Sequence, residues 1–194
     1  MEKVPIIVLS YLLGCFTTGY YLVRLATGDD IRTVSSGNVG SRNVGRLLGA
    51  KGFVATFAGD AGKGFLVVWL ARHLSPEIGV AQLALLAAVC GHVWPIQLRW
   101  RGGKGLATLA GGMILLHPFV IGTGFLLCLL LYVFTRSTTK SALIALILSP
   151  LFQPALSWYQ QIPIQIINVA LYTVLVCIVL YAHRSNIRSE FRLA

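Results

Sequence analysis

The chain has 194 residues, of which 56% are hydrophobic and 11% charged, with a mean hydropathy of +0.77. An ordinary soluble domain carries about 25% charged residues, and a water-soluble fold of this length could not hide so much apolar surface, so lipid must solvate much of the molecule. The balance of 16 Lys+Arg against 6 Asp+Glu, a net charge of +10, fits the positive-inside bias of membrane proteins; it argues against nucleic acid, because the basic residues are scattered over short segments and the aromatics lie mainly in apolar runs.

Seven apolar stretches follow one another along the chain, at residues 4–25, 53–71, 80–98, 106–116, 119–135, 142–158 and 164–182. Backbone polar groups in hydrocarbon must be satisfied internally, and unbroken apolar runs without alternation exclude a β-barrel. The expectation is an all-α integral membrane protein of seven transmembrane helices, forming one domain over residues 1–194. The first run holds Leu12-Leu13-Gly14-Cys15, which looks like a lipoprotein processing site. Because the run continues well past it, an uncleaved first helix is expected. The fourth run is the odd one. Eleven residues rise about 17 Å, short of a hydrocarbon core of about 30 Å. Either residues 102–105 extend this helix, or it starts partway into the membrane from a glycine loop, an arrangement that recurs where anions are bound at membrane depth.

With the N-terminus outside and seven alternating spans, the inner segments hold Arg24, Arg32, Arg42, Arg46, Lys51, Arg99, Arg101, Lys104, Arg136, Lys140, Arg184, Arg188 and Arg192, and the outer ones only Lys3 and Arg72. Thirteen against two predicts an outside N-terminus and a cytosolic C-terminus.

Three polar, glycine-bearing segments then share the inner face. The first is SSGNVGSRNVGR, residues 35–46. Its glycines admit turns closed to other residues. Ser36, Asn38 and Asn43 can bond phosphate or glycerol oxygens, and Arg46 offers a planar fork suited to phosphate. The second, GHVWPIQLRWRGGKGLAT at residues 91–108, sets Gly102, Gly103 and Lys104 just before a helix start, where unpaired N–H groups and the helix dipole favour an anion. Neither Gly-Lys pair is followed by Ser or Thr, so this is not a Walker A loop. The third, HRSNIRSEFR at residues 183–192, closes the last run. A helix C-terminus favours a protonated His183 there.

Asp60 and Lys63 stand three apart inside the second run. Charges at the centre of a span cost about 2.5–3.5 kcal/mol each on insertion scales and are functional candidates by default. Here i, i+3 pairing can satisfy both, and Gly59, Gly62 and Gly64 suggest tight helix packing, so a structural role is expected. Four dispersed histidines and no CxxC spacing argue against a metal; Cys15, Cys90, Cys128 and Cys177 are read as buried small hydrophobes. HxxxxD and GxSxG arrangements are absent from the sequence.

Taken in order, SGNxGxxN at residues 36–43, GHxxP at 91–95, GGKGxAT at 102–108 and HRxNI at 183–187, with Asp60 and Lys63-Gly64 between them, resemble the bacterial acyl-phosphate-dependent glycerol-3-phosphate acyltransferases. The resemblance implies seven helices in the cytoplasmic (inner) membrane with the motifs facing the cytosol. It also implies transfer of a fatty acyl group from acyl phosphate to the 1-hydroxyl of glycerol 3-phosphate, with no cofactor or metal. Lys104, His183 and Ser36 are then the expected catalytic residues, and Ser36, Asn38, Asn43, Arg46, His92, Gly102, Gly103, Lys104 and Asn186 the expected binding residues. Arg42 and Arg188 fall where this chain departs from the family pattern and are left unassigned. The rival class is an organophosphate transporter, which would often show two related halves; none are visible.

Overall fold

The computed structural model describes residues 3–191, so Arg192 of the charge count lies outside the described residues. Every described element is helical, as a bilayer requires of an open chain. The chain divides into two compact units, Met1–Leu115 and Leu116–Ala194.

The first unit holds α1 (Lys3–Cys15), α2 (Thr18–Thr27), α3 (Ser41–Leu74), α4 (Ile78–Val93) and α5 (Leu106–Leu116), with short 3-10 turns at Ile31–Thr33 and Ile96–Leu98. Glycines set its helix crossings. A Cβ at Gly14 would overlap the Ala88 carbonyl, and one at Gly91 would overlap the Tyr11 carbonyl, so α1 and α4 meet backbone to backbone. In the same way Gly64 faces the Thr108 carbonyl and Gly111 the Ala61 carbonyl, locking α3 to α5. Small residues serve this purpose in membranes, where lipid tails remove the hydrophobic drive for helices to associate and close packing must replace it. Of the three glycines expected to pack α3, Gly59 meets Thr18 and Gly64 meets α5, whereas Gly62 faces open space.

The first apolar run is not one helix. It breaks between α1 and α2, freeing carbonyls that a continuous helix would have used. The Gln97 amide donates to the Cys15 carbonyl at 2.6 Å, and the Lys63 ammonium donates to the Phe16 carbonyl at 2.6 Å. Asp60 Oδ1 accepts from the Thr18 N–H at 3.3 Å, capping the start of α2. The second run starts earlier than its hydropathy suggests: α3 begins at Ser41, and a kink at Gly49 (φ 69°) separates its polar first turns from the apolar body.

The second unit holds α6 (Pro118–Thr135), α7 (Thr138–Leu148), α8 (Phe152–Tyr159), α9 (Ile166–Ala182) and α10 (Arg184–Phe191). Pro150 lies in the 3-10 turn Ser149–Leu151 between α7 and α8, and the Tyr172 hydroxyl of α9 donates to Ser149 Oγ at 2.8 Å. α6 exposes Phe125, Leu126, Leu129, Leu130, Val133 and Phe134, a surface suited to lipid. α10 bends 66° from α9, and its Glu190 accepts from Ser137 Oγ at 3.0 Å.

All seven apolar runs are therefore helical. Among the described residues, five segments are long and apolar enough to cross a membrane, six if α9 and α10 count as one bent span. α5, at 11 residues, falls short. Residues 102–105 do not extend it; they are a loop that ends at its first residue. One reading is corrected: Cys15 is buried, but Cys90 and Cys128 are partly exposed and Cys177 is exposed on the outer side of α9.

Candidate active site

The first polar segment is an ordered loop built around Asn43. The two N–H groups of its side-chain amide are shared among the carbonyls of Ile31 (3.3 Å), Val34 (3.0 Å) and Asn38 (2.9 Å), and its Oδ1 accepts from the Ser36 N–H at 3.2 Å. With these four bonds, an amide placed in the first turn of α3 fixes the whole loop before it. Beneath lies a small apolar core of Val23, Ile31, Val39 and Val44, all fully buried. Ser36 and Arg46 are exposed above it and Asn38 is half-buried. Arg46 donates to Ser35 Oγ at 3.3 Å, which keeps its guanidinium beside the loop. Asn43 is buried and thus enters the site as the residue that shapes it.

The second segment doubles back. After the turn at Ile96–Leu98, Arg99 and Trp100 take left-handed backbone (φ 55° and 63°). Gly102 N–H then donates to the Val93 carbonyl at 3.1 Å and Gly103 N–H to the His92 carbonyl at 3.0 Å. Side chains would forbid this return: a Cβ at Gly102 would strike the His92 carbonyl, and one at Gly103 the His92 ring. Gly105 (φ 79°) turns the chain into α5, whose hydrogen-bond ladder starts at Leu109 N–H to the Gly105 carbonyl, 2.8 Å. The N–H groups of Leu106, Ala107 and Thr108 thus lie ahead of the ladder, at the positive end of the helix dipole. Lys104 stands immediately before them, half-buried.

One side-chain contact ties these loops together. Arg32 grips Asp30 through paired bonds of 2.6–3.1 Å, and its other nitrogen donates to the Leu98 carbonyl at 2.8 Å. The guanidinium holds the Asp30 carboxyl below the usual carboxylate range. The Arg42 charge is also felt by Lys104: burial first, and then Arg42, push the lysine below its usual pKa. The same positive field favours an anion beside Lys104 at this helix start. Sequence reasoning left Arg42 unassigned, and its position in the first turn of α3 is what places it here.

His92 is buried at the end of α4, with its ring against Gly103 and its Nδ1 2.7 Å from Lys63 Nζ. His183 and Asn186 belong to the second unit. His183 closes α9, is buried, and donates from Nδ1 to the Val179 carbonyl at 2.8 Å; Asn186 lies half-buried one turn into α10. The fold defines an integral membrane protein whose cationic, glycine-lined loops flank the start of a short helix.

Comparison with known proteins agrees. The family described as glycerol-3-phosphate acyltransferase matches residues 4–192. A glycerol-3-phosphate acyltransferase 1 of Desulfitobacterium hafniense is 41% identical over 92% of this chain and 86% of its own length. A glycerol-3-phosphate acyltransferase of Rubrobacter xylanophilus is 42% identical over 99% and 93%. Crystal structures of PlsY, an integral membrane glycerol 3-phosphate acyltransferase, align with TM-scores of 0.83 for its glycerol 3-phosphate form and 0.80 for its lysophosphatidic acid form. Identities are 32% and 30%, covering 96% of this chain and 90% of those. The chain belongs to the glycerol-3-phosphate acyltransferase family.

Proposed function

We propose that this protein transfers a fatty acyl group from acyl phosphate to the 1-hydroxyl of glycerol 3-phosphate. The observation that carries the reading is the glycine return of residues 102–105, which sets Lys104 at the start of α5, in a chain whose relatives of known structure are described in glycerol 3-phosphate and lysophosphatidic acid forms.

The hydroxyl oxygen attacks the acyl carbonyl carbon, the bond from that carbon to the phosphate oxygen breaks, and inorganic phosphate leaves. Lys104, Gly102 and Gly103 hold the departing phosphate, where its growing charge is stabilised. Ser36, Asn38 and Arg46, on the loop shaped by Asn43, hold glycerol 3-phosphate. His183 and Asn186 orient the attack. The acyl phosphate is already activated, so positioning supplies most of the catalysis, and a substrate phosphate oxygen takes the hydroxyl proton. His92 contributes from beneath the loop.

The charge count supports seven spans in the cytoplasmic membrane with α5 as the short one, the N-terminus outside, and the motifs and C-terminus in the cytosol. The family match runs across both units, which supports one functional domain. Purified protein given glycerol 3-phosphate and palmitoyl phosphate is expected to release inorganic phosphate and lysophosphatidic acid in equal amounts. Comparable turnover with acyl-CoA or acyl carrier protein as sole donor would refute the donor assignment, and transport without phosphate release would refute the enzyme.

A further inference from the structure

The Lys63 ammonium carries three N–H donors, and three acceptors surround it: the Phe16 carbonyl at 2.6 Å, and the buried Asp60 Oδ1 at 3.0 Å and His92 Nδ1 at 2.7 Å. An ion pair of this kind balances its charge within the span, and Asp60, Lys63 and His92 are each at least nine-tenths buried. Simple pairing of Asp60 with Lys63 leaves the third contact unexplained. With Lys63 charged and paired with Asp60, its third N–H points at Nδ1, which is then the acceptor nitrogen, at 2.7 Å against 3.7 Å from Nδ1 to Asp60 Oδ1. In a neutral imidazole the proton then sits on Nε2. That nitrogen lies on the ring edge against Gly103, close enough that a Cβ at Gly103 would overlap it.

We propose that Asp60 and Lys63 are positioning residues for the phosphate loop: they fix His92 as the Nε2–H tautomer and hold its ring under Gly103, so that the ring edge sets the height and the donor pattern of residues 102–105. This rests on the reading above that the loop seats a substrate phosphate. Three anchors converge on one residue pair. Asp60 caps α2, Lys63 fastens the broken first span, and His92 carries the constraint to the loop, whose Gly103 N–H in turn donates to the His92 carbonyl. The pair therefore couples the α1–α2 break to the seat, and its third contact is what a merely structural ion pair would lack.

Two measurements test this. The chain has four histidines, so ¹⁵N-histidine NMR of the wild-type protein in nanodiscs, with His92 assigned from its loss in His92→Gln, reads the tautomer without perturbing the site. A neutral ring protonated on Nε2 is expected; a ring protonated on Nδ1, or on both nitrogens, overturns the proposal. The second is steady-state kinetics. The Gln amide reaches the place of Nε2 and the Asn amide the place of Nδ1, so His92→Gln is expected to retain at least tenfold more activity than His92→Asn. Lys63→Met is expected to raise the KM of the phosphate-bearing substrate seated by the loop about tenfold or more, the low end of what outer-shell partners of a ligand contribute. Equal activity of the Gln and Asn variants, or an unchanged KM in folded Lys63→Met, overturns it. If Lys63→Met fails to fold, the NMR result and the Gln–Asn comparison decide. Should the wild-type protein show no acyl transfer at all, the functional reading falls, and the tautomer alone then judges the positioning claim.

Discussion

Replacing Lys104 with alanine removes one ammonium from the seat at the start of α5 and leaves the glycine return intact, because the bonds from Gly102 and Gly103 to the end of α4 are backbone bonds. The expected loss can be worked from the lysine's surroundings. At an effective dielectric of about 20, a charge pair roughly 4 Å apart is worth about 4 kcal/mol. Half-burial allows some solvent screening, and Arg42 partly compensates, which brings the figure towards the 2.7–4 kcal/mol typical of one oxyanion-hole donor, or about 10²–10³-fold in kcat. Lys104→Arg keeps the charge but enlarges the head group between two glycines, so partial activity is expected. Lys140→Ala, a charge near the start of α7 and outside the motifs, serves as the control and is expected to change turnover little. The assay is phosphate release from palmitoyl phosphate by detergent-purified variants, paired with thermal unfolding of the same samples. An anchoring lysine at the membrane surface would instead lower expression or Tm and leave the turnover of surviving protein unchanged. Near-normal turnover in a stable Lys104→Ala protein refutes the reasoning.

Burial and Arg42 both hold Lys104 below the ordinary lysine pKa of 10.5, so kcat/KM should fall on the alkaline side at a lower pH than an ordinary lysine would give. Arg42→Gln removes the repulsion, raises that pKa and should move the alkaline limb to higher pH; a limb that stays or moves down contradicts the Arg42–Lys104 coupling. For the membrane orientation, single cysteines at Ser75 or Gln161 in a cysteine-free variant should react with an impermeant reagent from outside, and ones at Ser41 or Ser189 only after permeabilisation. The reverse pattern would invert the topology. Gly91→Ala should cost about 1–3 kcal/mol through overpacking against the Tyr11 carbonyl, read as a lower Tm, while Gly122→Ala on α6, with open space at its Cβ, should leave Tm unchanged or raised. Equal effects at the two glycines would show that the α1–α4 crossing is not limited by backbone contact.

Hydropathy made the helices legible because a bilayer leaves the backbone almost no other choice, and the short fourth run stood out for the same reason. The loop ahead of α5 was likewise readable: the glycines of residues 102–105 have one purpose when they precede a helix start. Other features depend on partners distant in sequence. Nothing between Phe16 and Thr17 announces a break, since no proline marks it and the residues that hold it open, Lys63 and Gln97, come 47 and 82 positions later. Arg42 was passed over because it sits at a departure from the family pattern; the influence of its charge on Lys104 depends on α3 beginning at Ser41. His92 was selected as a phosphate contact, yet its own contacts show a residue facing inward, towards Lys63. A charged pair among three glycines, Gly59, Gly62 and Gly64, deep in a span was the available signal. Its third partner could come only from the fold.

The break in the first span bears on how the protein is made. α1 leaves the ribosome before α3 and α4, and its last carbonyl finds its donor only when Gln97 follows, 82 residues on. At about 5–20 residues per second, that interval is roughly 4–16 s, long on the scale of membrane insertion. The first span therefore waits, with Cys15 and Phe16 carbonyls unclaimed, for α3 and the turn after α4 to arrive and finish it. Synthesis order and completion order run opposite ways, and truncated chains ending before residue 97 should hold a first span that has not reached its final shape.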